Sequence, residues 1–287
     1  MPYIRVGDRN GTTKIVAIHG TPGSLEDYRC LIAPLQKRIP KLEFVAMTLP
    51  DLNYSFRTGA FWHSAEEKKQ LILELLTSLR IENVDVLIGH SAGVYPALLT
   101  ALYSPIRVRS LVSLSSSGTK ILRFLHPEWL FSKILLPLVR RPSTRPAVLA
   151  LFDAAMVVTG FDKMSGYDAC SSQQSQHATR YWDKRNAPRW FSDLERKDIP
   201  RLMIYGGRDR LVRPRDSAAL TKVWGSPSPS SHFIFDGKDD NSASLKQMGD
   251  TESRCPVLVF NEGGHFAFMQ FPEIVAEHIA RLNKFMV

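Results

Sequence analysis

The stretch VDVLIGHSAGVYPALLTAL, residues 84–102, decides the fold. Its first half is a β-branched apolar run typical of a buried strand, and its second half is rich in the helix formers alanine and leucine. At the junction, Ser91 lies between Gly89 and Gly93 in the pattern G-x-S-x-G. A strand can turn this sharply into a helix only if both glycines lack a Cβ, which would collide with the neighbouring strand or helix. The stretch therefore predicts a strained serine whose hydroxyl is raised at the carboxyl end of a strand.

Strands and helices alternate on both sides of this junction. Hydrophobic patterning predicts strands at residues 13–20, 42–50, 84–88, 108–114, 201–207 and 256–260, after one antiparallel strand at 3–6. It predicts helices at residues 24–39, 64–79, 92–103 and 272–285, the second of them starting at a capping box. Such alternation predicts an α/β fold with a doubly wound, mostly parallel sheet that is covered by helices on both faces.

Two segments interrupt the alternation. Residues 119–200 contain several helical patches and no convincing strand, which predicts a helical lid inserted into a core formed by residues 1–118 and 201–287. Residues 226–254 are polar and carry prolines and glycines, which predicts a flexible surface insertion within the core. Within it, residues 232–235 are expected to form at most a short edge strand. Its aspartates miss the spacing of an EF-hand and are expected in a solvated loop.

Composition limits the class of protein. The 287 residues are 44% hydrophobic and 23% charged, as in a globular protein with a large core. The net charge of +9 suits a nucleic acid or an anionic membrane, but the sequence has no helix-turn-helix, RNA-binding or zinc pattern, so no nucleic-acid partner is expected. It also has no dinucleotide-binding or P-loop glycine pattern, so neither a cofactor nor a metal is expected.

The cysteines and the N-terminus suggest a location. Cys30, Cys170 and Cys255 are odd in number and widely spaced, which indicates free thiols rather than disulfides or a metal knuckle. The first residues have no signal-peptide pattern, and no run of 18 apolar residues occurs. The expectation is a cytoplasmic protein.

Two further residues complete a candidate catalytic set with Ser91. A serine hydroxyl becomes a good nucleophile when a base takes its proton and a third group orients that base. Asp209 follows one predicted strand and His265 follows another, in the chain order Ser, Asp, His that a serine at such a turn requires. The simpler alternatives are a turn aspartate paired with Arg208 or Arg210, and a surface histidine beside a glycine turn.

The motif HGTPGS, residues 19–24, ends the first predicted parallel strand. The backbone N–H groups of Thr21 and Ala92 are the expected donors to an oxygen anion that develops on a substrate carbonyl. Gly20 and Gly23 would let this loop approach Ser91 closely. His19 is expected to fix the loop by hydrogen bonding rather than to take part in chemistry.

The motifs HGTPG, GHSAG, GGRD and GGHF, in this order and each at the end of a strand, resemble those of serine hydrolases of the α/β-hydrolase superfamily. The resemblance extends from about residue 13 to the C-terminus. It implies that Ser91 is the nucleophile, Asp209 the acid and His265 the base, with Thr21 and Ala92 as oxyanion donors. The residues implied to support them are His19, Gly20, Gly89, His90 and Gly93. The implied enzyme is a carboxylesterase or a lipase-like hydrolase of lipid metabolism, which needs only water.

The chain also resembles particular branches of this superfamily. The H-G-x-P form is similar to that of epoxide hydrolases and haloalkane dehalogenases, but these carry aspartate where this chain has Ser91. HGTPGS with a long gap before His265 also resembles a nematode family of uncharacterised α/β hydrolases, which implies no substrate. The chain departs from the superfamily at DLNYS, residues 51–55, where a glycine-bearing loop is usual.

The predicted lid suggests a class of substrate. Residues 118–201 hold 14 lysines and arginines against 8 aspartates and glutamates, and FLHPEWLFSKILLPLVRR couples large apolar residues with basic ends. This composition could line a pocket for a small, largely apolar acyl ester, or rest on an anionic lipid surface. The plainer interpretation is packing onto the core with solvated arginines. Two other functions stay open, a ligand-binding protein on the same fold and a hydrolase of carbon–carbon bonds.

Overall fold

One mixed β-sheet with helices on both faces forms the framework of the protein. The computed structural model describes residues 1–21, 23–49, 64–116, 118–119, 129–135, 137–138, 141–158, 186–225, 228–282 and 285. Its strands are β1 (Tyr3–Gly7), β2 (Thr13–Ile18), β3 (Leu42–Met47), β4 (Asn83–His90), β5 (Arg107–Leu114), β6 (Arg201–Gly206), β7 (His232–Asp236), β8 (Ser244–Gln247) and β9 (Val257–Phe260).

Helices connect most of these strands. They are α1 (Arg29–Arg38), α2 (Ala65–Ser78), α3 (Val94–Tyr103), α4 (Arg145–Val158), α5 (Ala187–Arg196), α6 (Pro214–Val223), α7 (Ala267–Gln270) and α8 (Pro272–Leu282). Short 3-10 turns occupy Leu25–Tyr28, Ser91–Gly93 and Pro229–Ser231, and a π-helical turn occupies Leu130–Leu135. The predicted capping box at the start of α2 is present, since the Ser64 hydroxyl and the Glu67 carboxylate each accept the other residue's backbone N–H.

The strands are ordered β1-β3-β2-β4-β5-β6-β9-β7-β8 across the sheet. Neighbours from β3 to β7 run parallel, whereas β1 pairs with β3 and β8 pairs with β7 in antiparallel fashion. The predicted doubly wound, mostly parallel α/β fold is therefore confirmed, as is the single antiparallel strand at the start. Because β2, β4, β6 and β9 are parallel, their carboxyl ends lie along the same edge.

The core consists of two apolar layers, one on each face of the sheet. Alternate residues of β2 show the division, since Val16 and Ile18 belong to one layer and Ile15 and Ala17 to the other. Residues of α2, α3, α5 and α6 complete the first layer, and residues of α1 and α8 complete the second. Burial on both faces explains why the central strands are nearly continuous apolar runs.

The segment predicted as a surface insertion carries two strands of the sheet. The expected short strand at 232–235 is present as β7, but β7 pairs with β9 on one side and with β8 on the other, so its predicted edge position is wrong and β8 is the edge. The physical reason is that both faces of β7 are apolar, since Phe233 and Phe235 are 3% and 8% exposed in one core layer and Ile234 between them packs against the other layer. The Asp240 carboxylate accepts the backbone N–H groups of Glu273 and Ile274 in the first turn of α8, instead of lying in a solvated loop. The flexibility of the segment stays a prediction.

The end of the predicted lid packs against the sheet. α5 lies in the core layer through Ala187, Trp190, Phe191 and Leu194, and the boundary of the lid stays a prediction. Arg201, 5% exposed at the start of β6, donates to the Leu194 carbonyl at 2.6 Å and attaches this helix to the sheet.

The described remainder of the predicted lid contains α4 and the π-helical turn and no strand. The helical patch predicted near 168–184 lies outside the described residues, as do Cys170 and the DLNYS loop. Cys30 and Cys255 are free thiols. Among the helices that the structure describes, none has the length and apolar character needed to cross a membrane.

Candidate active site

Ser91 follows β4 at the carboxyl edge of the sheet and is 7% exposed. Its φ is +49°, in the left-handed region that non-glycine residues rarely adopt. Such a conformation costs about 1–3 kcal/mol and persists only where the surrounding structure holds it. The strained serine predicted from the sequence is therefore present, directly before α3.

The flanking glycines explain how the turn is held. A Cβ on Gly89 would lie 2.6 Å from the Val94 Cα, and a Cβ on Gly93 would lie 2.3 Å from the His19 carbonyl oxygen. Both distances are well below van der Waals contact. The two collisions predicted from the sequence pattern are therefore confirmed, one with α3 and one with the end of β2.

Asp209 and His265 come into direct contact across the sheet edge. The loop after β6 carries Asp209, and the loop after β9 carries His265, and their side chains are almost completely buried. His265 Nδ1 lies 2.8 Å from one carboxylate oxygen of Asp209. The other carboxylate oxygen accepts the backbone N–H groups of Leu211 and Val212, each at 2.8 Å. These bonds orient the carboxylate, and it in turn fixes the tautomer in which His265 can take a proton on Nε2.

The alternative of a simple turn aspartate does not fit this geometry. Arg208 forms its ion pair with Glu262 at 2.7 Å, while Asp209 faces inward to the histidine. An oriented, buried carboxylate–imidazole pair at the same sheet edge as a strained serine is a constellation that can activate a hydroxyl.

His90 joins the serine strand to the histidine loop. Its Nε2 lies 3.3 Å from the His265 carbonyl oxygen, and its ring contacts the rings of His265, Phe266 and Phe268 at centroid distances of 4.8–5.0 Å. Burial, followed by the nearby His265, holds the pKa of His90 well below its ordinary value. A neutral imidazole therefore donates to this carbonyl and links the two loops of the site.

The loop at residues 19–24 lies against the serine turn, as the glycines in it predict. A Cβ on Gly20 would lie 2.9 Å from the Ser91 Cβ and 3.0 Å from His90 Nδ1, so only glycine permits this approach. The Tyr28 hydroxyl, fully buried, donates to the Ile18 carbonyl at 2.7 Å and fixes the end of β2 from which the loop leaves.

His19 fixes the loop through both ring nitrogens. The Leu49 backbone N–H donates to His19 Nε2 at 2.9 Å, so the proton of the neutral ring is on Nδ1, 2.6 Å from the Gly20 carbonyl oxygen. Only the neutral ring can make both bonds. Burial is the main cause that lowers the pKa of His19 to about 4, against the opposing effect of the Gly20 bond. These contacts fit the expectation that His19 fixes the loop by hydrogen bonding.

The two expected oxyanion donors follow strands β2 and β4. Thr21 lies in the loop packed on the serine turn, and Ala92 lies in the 3-10 turn that starts with Ser91; both are partly exposed. The Thr21 hydroxyl also accepts a hydrogen bond from Lys68 Nζ at 3.2 Å. The sequence analysis does not identify Lys68. Its position could have indicated burial, since this lysine falls on the apolar stripe of α2, four residues before Ile72.

Comparison with known proteins identifies the family of the chain. Residues 3–284 match the family described as "Alpha/beta hydrolase of unknown function (DUF1057)". The chain belongs to this family of α/β hydrolases. No curated protein matches it in sequence.

Solved structures share the fold at low sequence identity. MenH from S. aureus superimposes with a TM-score of 0.67 at 14% identity, covering 99% of this chain and 98% of that one. A putative aryl esterase from Burkholderia cenocepacia gives a TM-score of 0.65 at 17% identity, covering 99% and 94%. A meta-cleavage product hydrolase from Pseudomonas fluorescens, CumD, gives 0.59 at 17% identity, covering 99% and 93%. At these identities the likeness concerns the fold of this α/β hydrolase.

The described part of the chain offers no metal site. Nowhere in it do three histidine, cysteine, aspartate or glutamate side chains come together as potential ligands. The polar groups at the sheet edge are instead a hydroxyl, an imidazole and a carboxylate.

Proposed function

We propose that this α/β hydrolase is a serine hydrolase that cleaves a carboxylic ester of a small, largely apolar acyl substrate. One observation carries the proposal, the buried 2.8 Å contact between Asp209 and His265 on the sheet edge where Ser91 has its positive φ. A carboxylate-oriented imidazole and a serine at a strained turn together form the apparatus for covalent catalysis.

The proposed reaction has two steps. His265 Nε2 takes the Ser91 proton as Oγ bonds to the substrate carbonyl carbon, whose electron pair moves onto the carbonyl oxygen. The Thr21 and Ala92 N–H groups stabilise that oxygen anion. When the pair returns, the bond to the leaving alcohol breaks, and His265 gives its proton to the departing oxygen. Water then gives a proton to His265 as its oxygen bonds to the acyl carbon. The bond from Ser91 Oγ to the acyl carbon breaks, the acid leaves, and Oγ takes the proton back from His265.

The test of this proposal is the substitution Ser91→Ala. Turnover of p-nitrophenyl esters should fall by at least about a thousandfold, because the nucleophile is lost. Ser110→Ala is the matched control, since the Ser110 hydroxyl is also buried but donates to the Asp85 carbonyl on the neighbouring strand. Asp209→Asn should reduce the rate less than Ser91→Ala, through the orientation of His265. Wild-type rates in the Ser91 variant would reject the nucleophile, and wild-type rates in the Asp209 variant would reject the acid.

The same assay separates the other functions that the sequence leaves open. A panel of p-nitrophenyl esters of rising chain length, an amide, a thioester and a β-diketone distinguishes acyl transfer from carbon–carbon cleavage. A ligand-binding protein on this fold would react slowly with a fluorophosphonate serine probe and turn over none of the panel. Turnover of the β-diketone alone would favour carbon–carbon hydrolysis.

We also propose that the enzyme works in the cytoplasm. The observation behind this proposal is that Cys30 and Cys255 are free thiols. A reducing compartment keeps such thiols free. Fractionation of cells that express the tagged chain would test it, and recovery from the medium would contradict it.

A further inference from the structure

A lysine is buried beside the loop at residues 19–24, which carries the proposed oxyanion donor Thr21 and is called the oxyanion loop below. Lys68 lies on the inward stripe of α2 and is only 6% exposed. Lysine is almost never buried to this degree without a paired charge, because desolvation of the ammonium is costly. An explanation for Lys68 therefore has to be sought in what its ammonium contacts.

The contact of Lys68 is with the oxyanion loop. Its Nζ donates to the Thr21 hydroxyl at 3.2 Å, and among the described residues it forms no ion pair with a carboxylate. The next lysine, Lys69, behaves differently, because it pairs with Glu66 one turn earlier on the same helix. The two adjacent lysines thus have different partners. Lys69 pairs with a surface carboxylate, and Lys68 bonds to the oxyanion loop.

Lys68 is mostly protonated, and therefore positively charged, at neutral pH. Burial lowers the pKa of Lys68 to about 8, and the adjacent Glu67 opposes that effect. Among the described residues, Lys68 also lies close enough to His19 to disfavour the protonation of its ring. Because His19 is neutral, Lys68 supplies a positive charge beside Thr21 below about pH 8 and loses it above.

We infer that Lys68 is a positioning residue of the oxyanion hole, an inference that rests on the proposed function. Its ammonium holds the Thr21 hydroxyl and so fixes the backbone whose N–H faces the reacting carbonyl. It also places a positive charge beside the loop that carries the Thr21 N–H, where it favours the oxygen anion over the neutral carbonyl. This assistance is greater in the transition state than in the bound ester, so it acts on kcat rather than on KM.

Lys68→Met removes the charge and keeps an apolar side chain of similar length. With a p-nitrophenyl ester, kcat should fall about 10- to 100-fold while KM changes less than about twofold. Lys69→Met, the matched control, should retain wild-type kcat. Lys68→Arg should recover part of the lost kcat, because guanidinium also donates and stays charged. A kcat for Lys68→Met equal to that of Lys69→Met would overturn the inference, as would a rise in KM alone.

The pH profile provides a readout that a purely structural lysine would not change. In the wild type, kcat should decline as pH rises through about 8, where Lys68 loses its proton. Lys68→Met and Lys68→Arg should lack this decline, the first because no charge is left and the second because it does not titrate. An unchanged alkaline decline in Lys68→Met would assign it to another group and reject the inference.

Labelling by a fluorophosphonate separates this inference from the proposed function. Ser91 Oγ bonds to phosphorus as fluoride leaves, the serine proton goes to His265, and the phosphoryl oxygen occupies the oxyanion hole. The labelling rate, followed by mass spectrometry, should fall in Lys68→Met and not in Lys69→Met. Labelling without turnover of any ester would reject the proposed substrate and still test Lys68. Equal labelling rates in the two variants would overturn the role of Lys68 alone. No labelling of the wild type would reject Ser91 as the nucleophile, and with it both the proposed function and the role of Lys68.

Discussion

Single residues at this site were predictable to different degrees. Ser91, Asp209 and His265 follow strands that the sequence marks clearly, so their arrival at one sheet edge follows from parallel pairing alone. Lys68 differs, because its contact with Thr21 joins residues 47 positions apart through the packing of α2. Sequence periodicity places a side chain on the buried face of a helix, but it does not identify what that face meets.

His19 provides a test of the neutral ring in the loop. An unfolded chain binds a proton on this histidine near its ordinary pKa of 6.5, whereas the folded chain does so only near 4. Between these values the unfolded state holds more protons, so stability is full above pH 6.5 and falls as pH decreases towards 4. The expected loss is up to about 3 kcal/mol.

His19→Gln is the variant that isolates this effect. A glutamine amide can still accept from the Leu49 N–H and donate to the Gly20 carbonyl, but it does not titrate. Urea unfolding at pH 7 and pH 4.5 should therefore show a smaller loss of stability in the variant than in the wild type. The variant has to be compared with the wild type because protonation of the buried His90 also destabilises the fold at low pH, in both proteins. Parallel losses in the two proteins would contradict the neutral role of His19.

At the level of elements, strong apolar runs were predictable and short polar elements were not. The central strands β2 to β6 each contain a stretch of apolar, largely β-branched or aliphatic residues, and the sequence identifies each of them. β8 has only four residues, most of them exposed, and resembles a loop in composition. The sequence predicts an edge position for β7 because the polar residues on either side of it obscure the burial of Phe233 and Phe235.

Asp240 connects the segment at residues 226–254 to the first turn of α8. Its carboxylate accepts from Glu273 N–H at 2.8 Å and from Ile274 N–H at 3.2 Å, two of the donors that a helix start leaves unsatisfied. Asp240→Ala should therefore cost about 1–2 kcal/mol and lower Tm by a few degrees.

The control for Asp240 is Asp239, whose carboxylate bonds only within its own turn to Ser242. Asp239→Ala should leave the Glu273 and Ile274 amides as protected from hydrogen exchange as in the wild type. Asp240→Ala should make both amides exchange faster, and Asp240→Asn should restore most of the protection. Equal exchange in the two alanine variants would show that α8 does not depend on this cap.

At the scale of the whole molecule, the predicted lid combines positive charge with exposed apolar side chains. The described part of the predicted lid exposes Trp129 by 55%, Ile134 by 41% and Leu151 by 63%, with Lys133 and Arg141 also exposed. Apolar side chains next to basic ones are typical of surfaces that rest on anionic lipid. We propose that this surface admits apolar acyl chains and makes peripheral contact with such a membrane.

Two measurements on the ester panel test this lid surface together. Each added methylene buried in the acyl pocket contributes up to ~0.8 kcal/mol, so kcat/KM should rise up to about fourfold per carbon until the pocket is full. Anionic vesicles should increase activity, neutral vesicles should not, and added salt should reverse the increase by screening. Lys133→Glu should weaken the vesicle response, whereas Lys222→Glu, on the exposed side of α6, should not. Equal rates on acetyl and hexanoyl esters and no response to vesicles would reject the lid proposal and leave the role of Ser91 intact.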